Sequence, residues 1–229
     1  MSVKRILVLG GGFAGLWSAV GAVRKLDELG YGPDAVEVML VNRDGYHNIR
    51  VRNYEPDLTS VRIPLDDVLG AIGVARVEGE VASIDFARQT VAVNRESRPR
   101  VLPLKGISHV FAAGDAAWAM MDDTHVSVMS CQHGRPMRRF AGHNVVCDLL
   151  GLPMLPLRIE WYVTVLDLGP WGAVYTEGWD RHVVAKGEAT KRTKQIINCQ
   201  RIYPPLSGNR QEILVAAAPV VQQAPKVYH

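Results

Sequence analysis

Three glycines near the N-terminus, Gly10, Gly12 and Gly15, constrain the fold of this chain more than any other feature of its sequence. They form the pattern G-x-G-x-x-G, and a short apolar run at residues 3–9 precedes them. Such a run predicts a strand buried on both faces, as in a parallel sheet. From residue 15 to residue 29, apolar side chains recur every three to four positions, which predicts a helix. A second strand predicted at residues 36–41 completes one right-handed βαβ unit.

The spacing of these glycines suits a loop that comes close to a phosphate group. The first glycine permits a tight turn, the second lets the backbone approach a pyrophosphate, and the third lets helix and strand pack closely. Phe13 and Ala14 complete the turn, where the unpaired N–H groups and the positive dipole end of the helix face the phosphates. The pattern predicts a dinucleotide site at Gly10, Gly12, Phe13, Ala14 and Gly15, and the alternative is a tight turn without a ligand.

The end of the second predicted strand departs from the usual dinucleotide-binding pattern. An acidic residue is expected there to hold the adenosine ribose, whereas this chain has Asn42 followed by Arg43. The Asn42 amide can hydrogen-bond a ribose hydroxyl, and the Arg43 guanidinium can stack on adenine or contact phosphate. The alternative is that both residues begin a solvated loop.

The rest of the sequence predicts an α/β fold with a small second domain. The predicted elements are a helix at 64–72, a hairpin or meander at 77–93, a loop at 94–103, a strand at 109–113, a helix at 137–149 closed by Gly151, strands at 159–168 and 173–175, and helices at 191–198 and 209–218. A three-layer Rossmann-like domain is expected at residues 1–152, in two segments joined by a short loop near 94–106. Residues 153–229 are expected to form a small α+β domain.

A second motif indicates which dinucleotide is bound. Residues 107–115 form an apolar stretch that ends in Gly114-Asp115, and this stretch resembles the second FAD motif of the pyridine nucleotide-disulfide oxidoreductases. In that family the aspartate holds the ribityl chain, and the following helix points its N-terminus at the flavin ring. A carboxylate accepts hydrogen bonds from ribityl hydroxyls, and a positive helix end stabilises negative charge on a reduced flavin. The alternative is a Gly-Asp turn without a ligand.

Three further stretches, at 41–47, 132–137 and 201–205, resemble the non-disulfide branch of this superfamily that includes the type II NADH dehydrogenases. The likeness covers nearly the whole chain and implies a three-layer FAD-binding domain at residues 1–152 with non-covalent FAD. It also implies that Gln132 and His133 lie near the pyrimidine edge of the flavin, that the Val81 backbone contacts adenine, and that His47 belongs to the cofactor site. No two cysteines have the close spacing of a redox disulfide, in agreement with this branch.

One part of the family pattern is missing from this chain. Family members place a second βαβ domain, with its own glycine fingerprint for NAD(P)H, between the first FAD segment and the Gly-Asp motif. The residues between the predicted hairpin and Gly106 are too few for a domain, and no second G-x-G-x-x-G occurs. The resemblance implies an FAD-dependent NAD(P)H:acceptor oxidoreductase with a quinone-like or other acceptor. The alternative is a non-catalytic FAD-binding protein that has lost its nicotinamide domain.

Composition argues against several other classes of protein. The 26 basic and 23 acidic residues are interspersed, so nucleic-acid binding is not expected. The histidines and cysteines lack metal-ligand spacing, so no metal is expected. No apolar run is long enough for a spanning helix. We therefore expect a cytoplasmic protein. Attachment to the inner face of a membrane and formation of a homodimer are both compatible with the sequence.

The aromatic residues between Trp161 and Trp179 either flank the cofactor or an acceptor, or pack in the core.

Overall fold

The computed structural model describes residues 3–85, 87–88, 90–94, 100–103 and 110–227. The helices and strands within these ranges are, in chain order, β1 (Lys4–Leu9), α1 (Phe13–Glu28), β2 (Val36–Asn42), β3 (Tyr46–Asn48), β4 (Arg62–Pro64), α2 (Leu65–Ile72), β5 (Ala75–Glu78), β6 (Glu80–Asp85), β7 (Thr90–Asn94), β8 (Arg100–Pro103), α3 (Cys131–Leu150), β9 (Val163–Asp167), β10 (Ala173–Glu177), β11 (His182–Gly187), α4 (Glu188–Ile196) and α5 (Arg210–Ala216).

A parallel sheet forms the centre of the N-terminal part. Strand β2 lies between β1 and β5, and both neighbours run parallel to it. Helix α1 connects β1 to β2, which confirms the predicted βαβ unit. Helix α2 follows its predicted range closely, and its last turn ends at Gly73, whose φ of +74° is the left-handed conformation typical of a helix C-terminus.

The two faces of β2 show why this part has three layers. Alternate residues Val36, Val38 and Leu40 are buried in one apolar cluster with α1 and α2. The intervening residues Met39 and Val41 instead pack with Val91 and Val93 of β7 on the other face. Because side chains alternate across a strand, a strand buried on both faces separates a helical layer from a second sheet. The predicted three-layer α/β fold is confirmed.

The second sheet contains β6, β7 and β8, all antiparallel. Strands β6 and β7 confirm the predicted hairpin. The predicted loop at 94–103 is wrong in part, because residues 100–103 form β8, while residues 95–99 lie outside the described residues. Strand β8 is at the edge of the sheet and ends in Pro103. A proline without an N–H group is tolerated at that position, so its presence did not exclude a strand.

The strand predicted at 109–113 is not found in its described part. Residues 110–113 have no strand conformation, and residues 104–109 lie outside the described residues. The side chains of Val110 and Phe111 are 51% and 37% exposed. An apolar run predicts a buried strand only where layers cover it on both faces, and these two residues are not covered.

The C-terminal part contains another sheet, in which β10 lies between β9 and β11 and is antiparallel to both. Helix α4 begins earlier than predicted and continues into a π-helical turn at Ile197–Arg201. Helix α5 returns to the N-terminal part, where Ile213 and Leu214 are buried in the same cluster as α1 and α2.

The domain boundary at residue 152 stays a prediction. Every helix in the described ranges is too short or too polar to cross a membrane.

Helices α1 and α3 pack through glycines. A β-carbon built on Gly142 of α3 would lie 2.3 Å from the carbonyl oxygen of Ser18 and 2.9 Å from the backbone nitrogen of Ala22. A β-carbon on Gly21 of α1 would lie 3.2 Å from the carbonyl oxygen of Arg139. Backbone therefore contacts backbone where these helices cross, and side chains have no room between them.

We expect Gly142→Ala to lower the free energy of unfolding by about 2 kcal/mol or more, because the added methyl group must push α3 away from α1. The matched control is Gly70→Ala in α2, where an added β-carbon meets no atom within 4 Å. That change should raise stability by roughly 0.5–1 kcal/mol through helix propensity. Urea denaturation measures both values. Equal effects of the two substitutions would contradict the close helix contact.

Candidate functional site

A cavity of about 720 Å³ lies beyond the carboxyl ends of β1 and β2, where open α/β sheets bind ligands. Its walls include residues 9–14, 41–44, 79–81, 113–116, part of the segment 46–51, and the start of α3 as far as Arg138. The predicted site residues that line it are Gly10, Gly12, Phe13, Ala14, Asn42, Arg43, Val81, Gly114 and Asp115. The cavity therefore brings together most of the residues that were predicted from two distant motifs.

The three glycines of the N-terminal motif have different structural roles. Gly10 has a φ of +95°, which few residues other than glycine adopt. A β-carbon on Gly15 would lie 1.7 Å from the carbonyl oxygen of Gly10, so only glycine lets α1 pack this closely on the turn. A β-carbon on Gly12 would meet no protein atom within 4 Å. Gly12 is exposed and lines the cavity.

The first turn of α1 has N–H groups suited to an anion. Gly12 is the N-cap residue and has no side chain to accept hydrogen bonds from this turn. Phe13 and Ala14 follow it and line the cavity. Since the first N–H groups of a helix have no partner within the helix, they attract phosphate or carboxylate oxygens, and the helix dipole adds to this attraction.

The two predicted motifs are in contact. A β-carbon on Gly114, which has a φ of +75°, would lie 3.1 Å from the β-carbon of Ala14 in α1. On the other side, a β-carbon on Gly134 of α3 would lie 3.7 Å from the α-carbon of Gly114. Gly114 is thus held between the first turns of two helices, and Asp115 beside it lines the cavity.

The Asn42 amide is used within the protein. Its Oδ1 accepts a hydrogen bond of 2.7 Å from the backbone N–H of Gly11, and its Nδ2 donates to the carbonyl oxygen of Asp44 at 2.9 Å. A β-carbon on Gly11 would lie 2.8 Å from Cγ of Asn42. Asn42 therefore holds the glycine turn against the end of β2, and its hydrogen bond to a ribose stays a prediction. Gly11 was missed because it stands outside the glycine pattern.

His47 lies behind the glycine turn and does not line the cavity. Its side chain is fully buried, and its Nδ1 lies 2.9 Å from the carbonyl oxygen of Gly11, which fixes Nδ1 as the donor. The ring of Phe13 meets it edge-on at 4.6 Å between centroids. Burial lowers the pKa of His47 from 6.5 to about 4, with the nearby Arg138 charge adding to the effect. His47 is neutral at physiological pH and supports the turn from behind.

Gln132 and His133 also point away from the cavity. The Gln132 amide donates to the carbonyl oxygen of Trp161 at 2.9 Å and accepts from the N–H of Val163 at 3.2 Å. Nδ1 of the buried His133 accepts from the N–H of Val128 at 2.9 Å. These side chains join the start of α3 to the C-terminal part, while the backbone of this turn stays at the cavity. Their contact with a flavin stays a prediction.

Comparison with known proteins places the chain in a family. No protein-family model matches it. NADH dehydrogenase-like proteins from two strains of Mycobacterium tuberculosis are each 34% identical to it over 400 residues, covering 97% of this chain and 100% of the relative. The chain belongs to the NADH dehydrogenase-like family.

Solved structures resemble this NADH dehydrogenase-like chain only loosely. A pyridine nucleotide-disulfide family oxidoreductase from Enterococcus faecalis has a TM-score of 0.34 and 18% identity, over 45% of this chain and 21% of its own. The sulfide:quinone oxidoreductase from Aquifex aeolicus has a TM-score of 0.36 and 12% identity, over 81% of this chain and 57% of its own. The family assignment rests on the sequence relatives.

The NADH dehydrogenase-like chain has a second cavity, of about 140 Å³, on the other side of the start of α3. Trp161, Val163 and Val165 form part of its wall, together with Lys194. Cys131 lines both cavities. Among the described residues, no group of histidine, cysteine, aspartate and glutamate is placed to hold a metal ion.

Arg138 is a cavity residue that sequence reasoning missed. It is 2% exposed and lines the larger cavity, and its guanidinium lies over the ring of Phe13 at 4.9 Å. In the sequence it belongs to a short basic cluster with Arg135 and Arg139, a pattern more typical of a solvated helix face. Only the packing of α3 against α1 reveals that this arginine is buried.

His47 predicts a pH dependence of stability in this NADH dehydrogenase-like chain. Its pKa is 6.5 when unfolded and about 4 when folded, so the unfolded state binds more protons between these values. Protonation of His47 therefore lowers the free energy of unfolding little above pH 6.5 and progressively more as the pH drops toward 4. Between pH 7 and pH 4.5 the loss from this residue is about 2 kcal/mol. His47→Gln removes the titrating group and should reduce the pH dependence by that amount.

The measurement is urea denaturation of both proteins at pH 7 and pH 4.5. His182→Gln, at an exposed position, controls for the loss of an imidazole. The buried His133 and His143 also have pKa values lowered by desolvation, so part of the pH dependence should remain in His47→Gln. A pH dependence as steep in His47→Gln as in the unchanged protein would contradict the buried neutral state of His47.

Proposed function

We propose that this chain binds FAD non-covalently and is an oxidoreductase of the NAD(P)H:acceptor type. The main support is the contact between the glycine turn and Gly114-Asp115, which places both predicted FAD motifs on one cavity. The name of the NADH dehydrogenase-like relatives agrees with this reaction class.

The cavity suits a large dinucleotide in several respects. Its volume of about 720 Å³ is within the usual range for ligand sites. Gly12 leaves open space where a diphosphate must approach, since an added β-carbon there would touch no protein atom within 4 Å. The uncapped first turn of α1 supplies N–H donors beside that space.

The chain's own groups would hold FAD from its diphosphate to its ring. The N–H groups at Phe13 and Ala14 bind the diphosphate, and the Asp115 carboxylate accepts hydrogen bonds from the ribityl hydroxyls. Val81 and Arg43 line the same cavity and would contact the adenosine part of the cofactor. The start of α3 lines the same cavity, and its positive end would stabilise negative charge on a reduced flavin. When bound, FAD supplies the two-electron chemistry, which no side chain provides.

We also propose that the chain lacks the nicotinamide-binding domain of its relatives. The alignment with them extends over 400 residues, whereas this chain has 229, so the relatives contain stretches without a counterpart here. Too few residues lie between Asn94, where β7 ends, and Val110 to form a domain. Asp115 and Met129 line the cavity and are exposed, as expected where a covering domain is missing.

The smaller cavity is our candidate for the electron acceptor. It lies at the start of α3, next to the larger cavity, with Cys131 between them. Its wall combines apolar side chains such as Trp161, Val163 and Ile197 with three glutamine amides and the basic groups of Arg135, Lys194 and Arg201. The apolar side chains suit a quinone-like ring, and the basic groups can donate hydrogen bonds to its oxygens.

A second candidate function is FAD binding without efficient turnover. The open cavity favours it, because nothing among the described residues forms a second dinucleotide fold to position NAD(P)H over the flavin. Reaction rates depend strongly on such positioning. The two functions differ in the rate of flavin reduction and share the FAD site.

We expect Gly12→Val to abolish FAD binding without unfolding the protein, because the side chain occupies the space that the diphosphate needs. Asp115→Ala should weaken binding by roughly tenfold or more through loss of charge-assisted hydrogen bonds. The absorbance spectrum of each purified protein gives its flavin content, and titration of the flavin-free protein with FAD gives the affinity.

The control is Gly32→Val, at an exposed glycine far from the cavity where an added β-carbon also meets no atom within 4 Å. It should keep the flavin content of the unchanged protein. Normal flavin content in both Gly12→Val and Asp115→Ala would defeat the FAD assignment.

We expect reduction of the bound flavin by NADH to be slow and to show little saturation. Binding energy from the adenosine half of NADH normally helps to position the nicotinamide, and the described residues offer no separate fold for that half. Stopped-flow absorbance follows the bleaching of the flavin band over a range of NADH concentrations. Saturation at micromolar NADH with rapid turnover would favour the full enzyme over the slow FAD-binding protein.

A further inference from the structure

Arg138 places a buried cation at the wall of the larger cavity. Its side chain is 2% exposed, and its Nε and Nη2 atoms have no partner among the described residues. Burial, together with the nearby charges of Arg135 and Arg139, lowers its pKa to about 9. The guanidinium is therefore still charged at neutral pH. A buried charge without a partner is costly, so a folded protein keeps one only where something compensates it.

The position of this side chain on α3 explains how it reaches the cavity. Helical side chains point toward the N-terminus of their helix, so the Arg138 guanidinium lies over the preceding turn. A β-carbon on Gly134 would lie 3.9 Å from Nη2 of Arg138, and the absence of a side chain at Gly134 leaves room there. The Phe13 ring supports the guanidinium from the side of α1 at 4.9 Å. This cation–π contact offsets part of the cost of burial.

The groups around the guanidinium supply little negative charge. The buried His47 nearby is neutral, and Cys131 has its pKa raised by burial, which keeps its thiol protonated. Asp115 is the carboxylate whose charge acts on Arg138, but it is exposed and forms no ion pair with it among the described residues. Asp44 and Glu80 also line the cavity, at the ends of β2 and β6. The buried end of the cavity is thus positively charged.

Arg138 and the uncapped turn of α1 line the same cavity. The N–H groups of a helix start and a charged guanidinium are both donors that favour phosphate oxygens, and arginine binds two such oxygens at once. We propose that Arg138 is a ligand-binding residue that pairs with the diphosphate group of the dinucleotide held at the glycine turn. This proposal rests on the proposed FAD site and adds to it a charged contact that the glycine motif does not contain.

A ligand-binding role predicts opposite effects of one substitution on affinity and on stability. Arg138→Met keeps much of the buried volume and removes the charge. It should weaken FAD and ADP binding by roughly tenfold to a hundredfold. Riboflavin, which has no phosphate, should bind as it does to the unchanged protein. The melting temperature of the ligand-free protein should rise by roughly 2 °C or more, because an uncompensated buried charge is gone.

The experiment is calorimetric titration of the ligand-free full chain with FAD, ADP, riboflavin and inorganic pyrophosphate, together with thermal unfolding. Arg138→Lys keeps the charge and should retain part of the FAD and ADP affinity. Arg139→Met is the matched control. It removes a neighbouring guanidinium that is 4% exposed, lies over Trp17 and does not line the cavity, so it should leave all four affinities unchanged.

The outcomes separate this proposal from the proposed function. If the unchanged protein binds ADP and not FAD, the FAD assignment fails, and the loss of ADP affinity in Arg138→Met still supports the anion contact. If Arg138→Met binds FAD and ADP normally, or loses riboflavin affinity equally, the proposal is overturned. A lower melting temperature in Arg138→Met with unchanged ADP affinity would assign Arg138 a structural role. The proposal is also overturned if the unchanged protein binds neither ADP nor pyrophosphate.

Discussion

The contact between α1 and α3 determines the geometry of the cavity. Gly142 allows the backbone of α3 to lie against Ser18, and Gly21 allows the backbone of α1 to lie against Arg139. At the other end of the same two helices, Gly114 is enclosed between Ala14 and Gly134. Glycines make these approaches possible because any larger side chain would separate the helices. As a result, two helix N-termini that are far apart in the sequence face one cavity.

The layer arrangement explains why this cavity is open. The parallel sheet has three strands, and in the described part of the chain nothing pairs with the outer edge of β1. Residues 110–113, which precede Gly114-Asp115, do not form a strand, and the side chains of Val110 and Phe111 are exposed. Helix α5 covers the helical face of the core instead, through Ile213 and Leu214. The cavity wall is closely packed where α1 and α3 form it, whereas residues near Asp115 are exposed.

Local sequence patterns predicted the elements that local forces stabilise. The glycine turn, β1, α1, β2, α2 and the C-terminal end of α3 follow their predicted positions because apolar periodicity and turn glycines act within a few residues. Strand β8 was missed because its short sequence contains a proline, which is tolerated only at a sheet edge, and that edge position depends on pairing with β7. The strand at 109–113 was predicted from its apolar residues, but whether other layers cover such residues is not encoded locally.

The sequence by itself determined that this chain has a tight glycine turn between β1 and α1 and a Gly-Asp turn at Gly114-Asp115, since both depend on backbone requirements that only particular residues meet. Tertiary structure alone decided what the other polar residues do. Asn42 binds Gly11, His47 is buried and neutral behind the turn, Gln132 holds Val163, and Arg138 is buried at the cavity wall. Burial and long-range hydrogen bonds arise only when distant segments pack together, so the charge and orientation of a side chain at the site cannot be read from its neighbours in the sequence.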